Sequence, residues 1–534
     1  MIATPRRGEP QRRSISNHPA RLEVCGRAEW ARKAVALGAC GWQGWGVPDT
    51  DVVIVGGGPT GLLLANELGL AGVRAVVVER DPTRSRQSKA LNLQPRSAEI
   101  LDWRGWLSRM DEFAFANVEW GHFSGIPLNY GALDSRFAYQ VGIVQADVER
   151  ALEANLAGFG ITARRGHELV RIDSGLAPGD EQVVATVRTP DGEQQITAQY
   201  LVGADGGRST VRKLSGVEFP GRDGNAPATV CDITLRRKPA GVAESWSMPQ
   251  FDADRTDFAF LLPLRDGVYR FTFSVLDQTG ISKDTAISAE EIQGVLTRTY
   301  GPDIELGEVR AASRFTDASR QAGEYRTGRV FLAGDAAHIH APLGGQGMSL
   351  GLQDAFNLGW KLAADIHGWA PEHLLDSYHT ERYPVAAAVL ANTQAQSVLT
   401  APHPDARVVR DMISGLLQIP EANLQVAEDI SGLAIRYDLG PGLGHRMPDL
   451  DLGDGTRLAE HARDGHGLLL DSSPDHRFAP LADDWKRRIR CVTVDPGALA
   501  AAAVLVRPDG YVCASSDDPS AISTALAYWF GAAE

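Results

Sequence analysis

The sequence predicts an α/β protein: a sheet built from βαβ units, a mostly antiparallel sheet inserted into it, and a separate C-terminal unit. Three observations carry this. Residues 51–80, DVVIVGGGPTGLLLANELGLAGVRAVVVER, read as strand, glycine turn, helix and strand. Residues 258–275, FAFLLPLRDGVYRFTFSV, alternate around an Arg-Asp-Gly turn as half-buried antiparallel strands do. Residues 329–348, RVFLAGDAAHIHAPLGGQGM, return to the first pattern, an apolar strand that ends in glycines ahead of a long helix.

Length and charge narrow the class. A chain of 534 residues exceeds one ordinary core, so two to four domains are expected. The net charge of −14 argues against a nucleic-acid partner, because a phosphate-binding face needs a basic excess. Residues 1–50 are the exception, with +4 against −18 for the remainder. Their arginine pairs, Arg6-Arg7 and Arg12-Arg13, are not followed by the apolar segment an export signal requires. Residues 1–49 are therefore read as a disordered extension or the product of a start codon assigned too early. No apolar run reaches the roughly 18 residues of a membrane span. The five cysteines (Cys25, Cys40, Cys231, Cys491 and Cys513) are odd in number and form no C-x-x-C, so neither a disulfide framework nor a zinc site is expected. A cytoplasmic location fits.

The elements follow in order. VVIV is a β-branched run suited to a buried parallel strand. Pro59 stands where the helix should begin, a position that tolerates its missing N–H, and Gly72 stops that helix. AVVVE is the second strand. A helix is expected over 147–157 with Asp147 as its N-cap. VVATVRT and QQITAQYLVGADG, joined by Pro190-Asp191-Gly192, read as a hairpin feeding a strand. Residues 349–366 and 372–395 read as helices, and LLLD, CVTVD and AAAVLVRPDGYV supply strands near the end. These signals divide the chain into 50–225 plus 313–400, an inserted sheet at 226–312, and a linker with a C-terminal domain at 401–534.

Gly56-x-Gly58-x-x-Gly61, preceded by a strand, opening a helix at Pro59 and followed by Glu79-Arg80, is the dinucleotide fingerprint. Its glycines give the tight turn, the approach of a pyrophosphate and close helix–strand packing, while the helix N-terminus supplies N–H groups for phosphate. Glu79 ends the second strand, where a carboxylate can hold ribose hydroxyls. Two further stretches repeat the theme: YLVGADGGRSTVR places Asp205-Gly206 after a strand with Arg212 beyond, and Gly334-Asp335 follows another.

These three motifs, in this order, resemble the glutathione-reductase-type FAD fold of the class A flavoprotein monooxygenases, of which para-hydroxybenzoate hydroxylase is the familiar example. LLDSYHTERYPVA (374–386) is similar to the helix that follows in that family. GHFSGIPLNYG (121–131) and the length of the C-terminal part look closest to the aromatic polyketide hydroxylase branch, whose C-terminal domain is thioredoxin-like and which VLVRPDGYV (504–512) resembles. Without C-x-x-C that domain is expected to be structural.

The resemblance implies FAD as cofactor and NADPH or NADH as a transient co-substrate without a Rossmann domain of its own. Asp335 would accept hydrogen bonds from the ribityl chain or the nearby pyrophosphate region. Pro342, Gly344, Gly345 and Gly347 would let the isoalloxazine edge lie on the main chain, and a helix beginning near Met348 would point its N-terminus at the flavin. Gln145 matches a glutamine near the flavin. Where polyketide hydroxylases often read Ser-Arg-Gly-Leu, this chain has Ser88-Lys89-Ala90-Leu91, which keeps the charge but not the planar guanidinium. His338 and His340 make a poor metal site, having no suitable third ligand beyond Asp335.

The implied activity is hydroxylation of a polycyclic phenol: NADPH reduces the flavin, O₂ adds at C4a, and the hydroperoxide delivers oxygen to the ring. Trp246, Phe258, Phe260, Tyr269, Phe271 and Phe273 are the substrate-side candidates, about half of which must face away because strands alternate. No general base can be named. A halogenase would carry Trp-x-Trp-x-Ile-Pro, which is absent. A Baeyer–Villiger or antibiotic-inactivating monooxygenase stays open, as does a non-catalytic FAD-binding subunit, and a monomer or homodimer is expected.

Overall fold

A computed structural model of the chain describes residues 48–84, 89–224, 227–246, 258–274, 285–401 and 403–533. The reading of residues 1–49 as an extension falls, up to Val47, outside the described residues, as does Ser88.

The first unit is built on a six-stranded sheet. Its strands are β1 (Val52–Val55), β2 (Ala75–Glu79), β3 (Ala163–Arg165), β4 (Tyr200–Gly203), β9 (Arg326–Thr327) and β10 (Val330–Leu332), in the order β9-β10-β4-β1-β2-β3. All neighbours are parallel except β9 with β10. The β-branched run of β1 is fully inside, as a central parallel strand requires. Helix α1 (Pro59–Leu70) connects β1 to β2 with Pro59 in its first turn, and Gly72 takes φ +76° just past its end. The expected hairpin forms between Val183–Thr189 and Gly192–Ala198.

Helix α2 spans Gln145–Leu156, two residues ahead of the expected start. Val144 holds the extended backbone of the N-cap, so Asp147 sits in the first turn, where it favours the helix dipole and pairs with Arg150 at 3.0 Å. A short helix, α3 (Thr210–Leu214), follows β4.

The inserted sheet runs β5 (Pro227–Arg237), β6 (Phe258–Pro263), β7 (Val268–Ser274) and β8 (Glu305–Thr316), antiparallel throughout in the order β6-β7-β5-β8. It continues to Thr316, past the expected boundary at 312. Helix α4 (Ala289–Tyr300) covers one face with Ile292, Val295 and Leu296.

Helix α5 (Gly347–Ile366) is the central helix, buried without a break from Ser349 to Ala364. Helix α6 (Ser377–Leu399) packs beside it and carries Pro384 within its length. The C-terminal unit is a four-stranded sheet of β11 (Gly467–Asp471), β12 (Ile489–Thr493), β13 (Ala503–Val506) and β14 (Val512–Ser516), ordered β12-β11-β13-β14, with α7 (Pro519–Phe530) against it. Only β11 and β12 are parallel. Among the described residues no helix is long and apolar enough to cross a membrane.

Candidate functional site

Adjacent parallel strands β1, β4 and β10 end in the three glycine-bearing loops, so the loops meet at the carboxyl edge of the sheet, where open α/β sheets bind ligands. Their contacts explain the glycines. A methyl group on Gly56, which has φ +114°, would stand 2.3 Å from the carbonyl oxygen of Ala204. One on Gly61 would stand 2.1 Å from the Gly56 oxygen, and one on Gly334 2.7 Å from Thr60 Oγ1. Gly58 faces open space, as a position for close ligand approach should. Helix α1 has no side-chain cap, leaving its first N–H groups available at this edge.

The acids differ in what holds them. Glu79 accepts from Gly57 N at 2.7 Å and from Asp81 N at 2.9 Å, so it closes the fingerprint turn, while Arg80 beside it is exposed. Asp205 spends both oxygens on α3, accepting from Ser209 Oγ (2.5 Å), Thr210 N (2.6 Å) and Val211 N (3.1 Å). Its carboxylate shapes the loop, which leaves the Gly206–Gly207 backbone as the part that faces outward. Arg212 then ties two loops together, donating to Gly207 O (2.9 Å) and Ala336 O (2.7 Å). Asp335, by contrast, is exposed at the loop tip.

The glycine-rich segment before α5 is a cradle. Gly344 and Gly345 take φ +73° and +63°, and Gln94 Nε2 donates to Gly344 O at 2.7 Å. Pro342 precedes them, and α5 begins at Gly347, one residue before Met348. Beside that helix start, the buried Nε2 atoms of His340 and Gln346 have no partner among the described residues. Gln145 braces the neighbouring segment: its Oε1 accepts from Ala90 N (3.3 Å) and its Nε2 donates to Glu149 (2.8 Å). Lys89 itself is exposed. The two histidines are otherwise engaged: His338 Nε2 contacts Asp354 at 2.7 Å and His340 Nδ1 donates to Ala341 O at 2.7 Å. Orphaned polar atoms, a glycine cradle and an uncapped helix end fit a flavin dinucleotide.

The inserted sheet sorts the aromatic candidates by face. Tyr269, Phe271 and Phe273 alternate onto the side covered by α4, where Phe271 and Phe273 are fully buried with their rings 5.0 Å apart. They are core residues, which corrects their assignment to the substrate side: the helix, not the ligand, claims the aromatic face. Thr272 and its cross-strand partner Phe260 lie on the opposite face and are half-buried. Arg270 shares that face, paired to Asp232 at 2.6 Å and donating from Nη1 to Lys89 O at 3.0 Å. That contact turns the Phe260 face toward the Lys89 segment. Trp246 bridges the two units, its Nε1 on Pro263 O (3.0 Å) and its ring 5.4 Å from that of Phe115. Phe258 occupies a register position opposite Ser274, and its side chain lies outside the described residues.

Sequence reasoning missed the buried charges, although Asp354 and Lys361, standing within the helical run of α5, were a signal. Asp354 joins Gly334 N (3.0 Å), His338 and Arg382 (2.7 Å). Lys361 and Glu381 meet at 2.8 Å, and Glu381 also takes both terminal nitrogens of Arg507. Burial alone would raise both carboxyls, but the cations beside them outweigh it and hold Asp354 and Glu381 below the ordinary range. Burial pulls Lys361 down to about 8 against the pull of Glu381. For a carboxyl lowered on folding, the stabilisation is complete above its unfolded pKa and is lost as pH falls toward the folded one. The melting temperature should therefore hold between pH 4.5, the ordinary value for Glu, and about 8, where Lys361 begins to titrate, and fall steadily below 4.5. A profile flat down to about pH 3 would contradict this.

A cleft of about 480 Å³ opens on the outer side of the Asp205 loop, lined by Arg208, Arg212, Lys213 and Arg320 with Phe219 and Ile339. Four cations and one carboxylate, Asp223, which accepts from Arg320, line the opening, so its net charge is positive.

Residues 49–393 match the family of the FAD binding domain, and residues 440–533 match the aromatic-ring hydroxylase C-terminal domain. The fold and loops define a flavin-dependent hydroxylase, and the chain belongs to the FAD-dependent aromatic-ring monooxygenase family. It is 42% identical over 490 residues to rifampicin monooxygenase of Streptomyces venezuelae, covering 90% of this chain and 99% of that one. Anhydrotetracycline monooxygenase of Streptomyces rimosus is 41% identical over 503 residues, with 90% and 99% covered. The solved structure of OxyS anhydrotetracycline hydroxylase from Streptomyces rimosus superposes with a TM-score of 0.82 at 40% identity, covering 91% of this chain and all of that one.

Proposed function

We propose that this enzyme hydroxylates a polycyclic aromatic, polyketide-type phenol, using NADPH and O₂. The observation that carries the reading is the meeting of the three glycine-bearing loops at one edge of the sheet, together with a half-buried face of the inserted sheet that holds Phe260 and Thr272 and reaches the Lys89 segment through Arg270. Bound FAD supplies the redox chemistry, accepting a hydride from the nicotinamide and activating O₂ for transfer of one oxygen atom to the ring. The chain's own part is to bind, orient and keep dry. The N-terminus of α1 and the Gly56–Gly61 turn take the pyrophosphate, Glu79 the ribose, and Asp335 the ribityl hydroxyls. Pro342, Gly344, Gly345 and Gly347 admit the flavin edge, and the partial positive charge at the start of α5 favours its reduced, anionic form. Phe260 and Trp246 flank the substrate space and exclude water that would waste the activated oxygen. In this reading the first unit is of the glutathione-reductase type and the C-terminal sheet is thioredoxin-like. Burial pushes the Cys491 thiol up to about 11, so it carries no thiolate chemistry near neutral pH.

The basic cleft at Arg208 and Arg320 is read as the transient seat of the NADPH phosphates. Arg208→Ala and Arg320→Ala should each raise the KM for NADPH by roughly 10- to 150-fold, the loss of one charge-assisted hydrogen bond of about 1.5–3 kcal/mol, with kcat little changed. Steady-state kinetics at saturating aromatic substrate checks this.

The overall reading is tested by following NADPH consumption, H₂O₂ and oxygenated product together across a panel of polycyclic phenols. One compound that stimulates turnover, with product matching NADPH, establishes it. Uniform slow oxidation that ends wholly in H₂O₂ contradicts the substrate class. The similarity to rifampicin monooxygenase favours a second reading, inactivation of an antibiotic, so rifampicin belongs in the panel. Stoichiometric FAD without NADPH oxidation under any ligand would point to a non-catalytic flavin-binding subunit.

A further inference from the structure

The loop around Asp335 is held by its own turn, Ala337 N donating to Gly334 O at 2.8 Å, and by Arg212 on Ala336 O at 2.7 Å, and it is also held from within a buried helix. Gly334 takes φ +61°, and its N–H donates to Asp354 Oδ2 at 3.0 Å, a carboxylate two turns inside α5. The same carboxylate meets His338 Nε2 and Arg382 Nε, each at 2.7 Å, and His338, Asp354 and Arg382 are all at most 1% exposed. Arg382 sends its remaining nitrogens to Leu350 O (3.2 Å) and to the Tyr437 hydroxyl (3.3 Å). Tyr437 leads into the C-terminal unit, its ring 4.2 Å from that of Tyr511. The residue next to Arg382, Glu381, is gripped by Arg507 of that unit at 2.6 and 2.8 Å. Buried polar contacts thus run from the loop at Asp335 through Asp354 and Arg382 to Tyr437, whose ring packs on Tyr511, while the adjacent Glu381 is held by Arg507.

Stability does not explain these contacts. Buried ion pairs contribute little net stability compared with apolar packing of the same volume, and their best use is to fix one geometry. What is fixed here is the direction of the Gly334 N–H, and with it the loop that presents Asp335. We propose that Asp354 is a positioning residue for the flavin-binding loop, and that the C-terminal unit sets this loop through Tyr437 and Arg382. The proposal rests on the reading of Asp335 as a flavin contact.

The test uses the full chain, measuring the Kd for FAD by fluorescence titration, the visible spectrum of the bound flavin and its midpoint potential. Asp354→Asn should raise the Kd by about tenfold, alter the flavin band and lower the potential, because the loop and the α5 start recede from the ring. Tyr437→Phe and His338→Gln, milder changes, should shift the same three readouts in the same direction by about threefold in Kd. These two decide the matter if Asp354→Asn does not fold. Melting temperatures measured in parallel separate positioning from loss of stability. Unchanged Kd, spectrum and potential in Tyr437→Phe and His338→Gln, with only the melting temperature lowered, would overturn the proposal. Asp335→Asn serves as the control: if it too leaves FAD binding intact, the fault lies in the reading of the loop, and if it alone releases FAD, the fault lies in the role given to Asp354.

Discussion

Asp335→Asn is expected to yield a folded chain that no longer retains FAD. The side chain is exposed at the loop tip, and no hydrogen bond or ion pair to its carboxylate is found among the described residues. Removing its charge therefore breaks no hydrogen bond, only a charge interaction with His340, and the apoprotein should melt within about a degree of the unaltered chain, as surface substitutions do. The loss falls on binding alone. A carboxylate that accepts from two flavin hydroxyls contributes about 1.5–3 kcal/mol per bond, about 3–6 kcal/mol in all, so the Kd for FAD should rise by at least roughly 100-fold. Equilibrium dialysis or fluorescence titration of FAD against the apoprotein measures it directly. A Kd within threefold of the original would remove Asp335 from the flavin site and leave the glycine turn and Glu79 to hold the dinucleotide.

Much of this site was legible because its signals are local. The VVIV strand, the glycine turn and Pro59 lie within one βαβ unit, and the closest packing of Gly56 and Gly61 is what the fingerprint demands. The start of α2 was misread by two residues because Asp147 is a good cap by composition, whereas the extended residue is Val144. For the aromatic residues of the inserted sheet the sequence could say only that about half would face away. Alternation told that two faces exist, but nothing local tells which face a helix will cover, and α4 lies some fifteen residues beyond β7 in sequence. The face left for a ligand carries Phe260, Thr272 and the Arg270–Asp232 pair, and only Phe260 was expected there. The buried charge clusters were the least legible of all. Their partners, Glu381 with Arg507 and Asp354 with Arg382, lie on different elements, and a charged residue on an apolar helix announces a partner without naming it.

Arg507→Met should be the most damaging single change to stability, and the reason is charge balance rather than the loss of one bond. Arg507 gives two hydrogen bonds to Glu381 (2.6 and 2.8 Å) and two to Asp509 (2.6 and 3.1 Å), with its guanidinium 4.8 Å from the Trp529 ring. With Lys361 the cluster holds two cations and two carboxylates, none more than 3% exposed. Methionine fills much of the volume but leaves one buried negative charge unmatched, a change that costs about 3–5 kcal/mol. At roughly 2–4 °C per kcal/mol, the melting temperature should fall on the order of ten degrees. The double variant Arg507→Met with Glu381→Gln restores neutrality, leaving Lys361 and Asp509, and should melt above the single variant although it has lost more hydrogen bonds. The pH dependence gives an independent check. A carboxylate stranded without its cation has its pKa raised by burial, so acid relieves the variant before it harms the unaltered chain. The gap between the two melting temperatures should therefore narrow as pH falls from 7 toward about 4.5. If the gap stays constant and the double variant melts lower still, packing around the guanidinium, not charge, is what Arg507 provides.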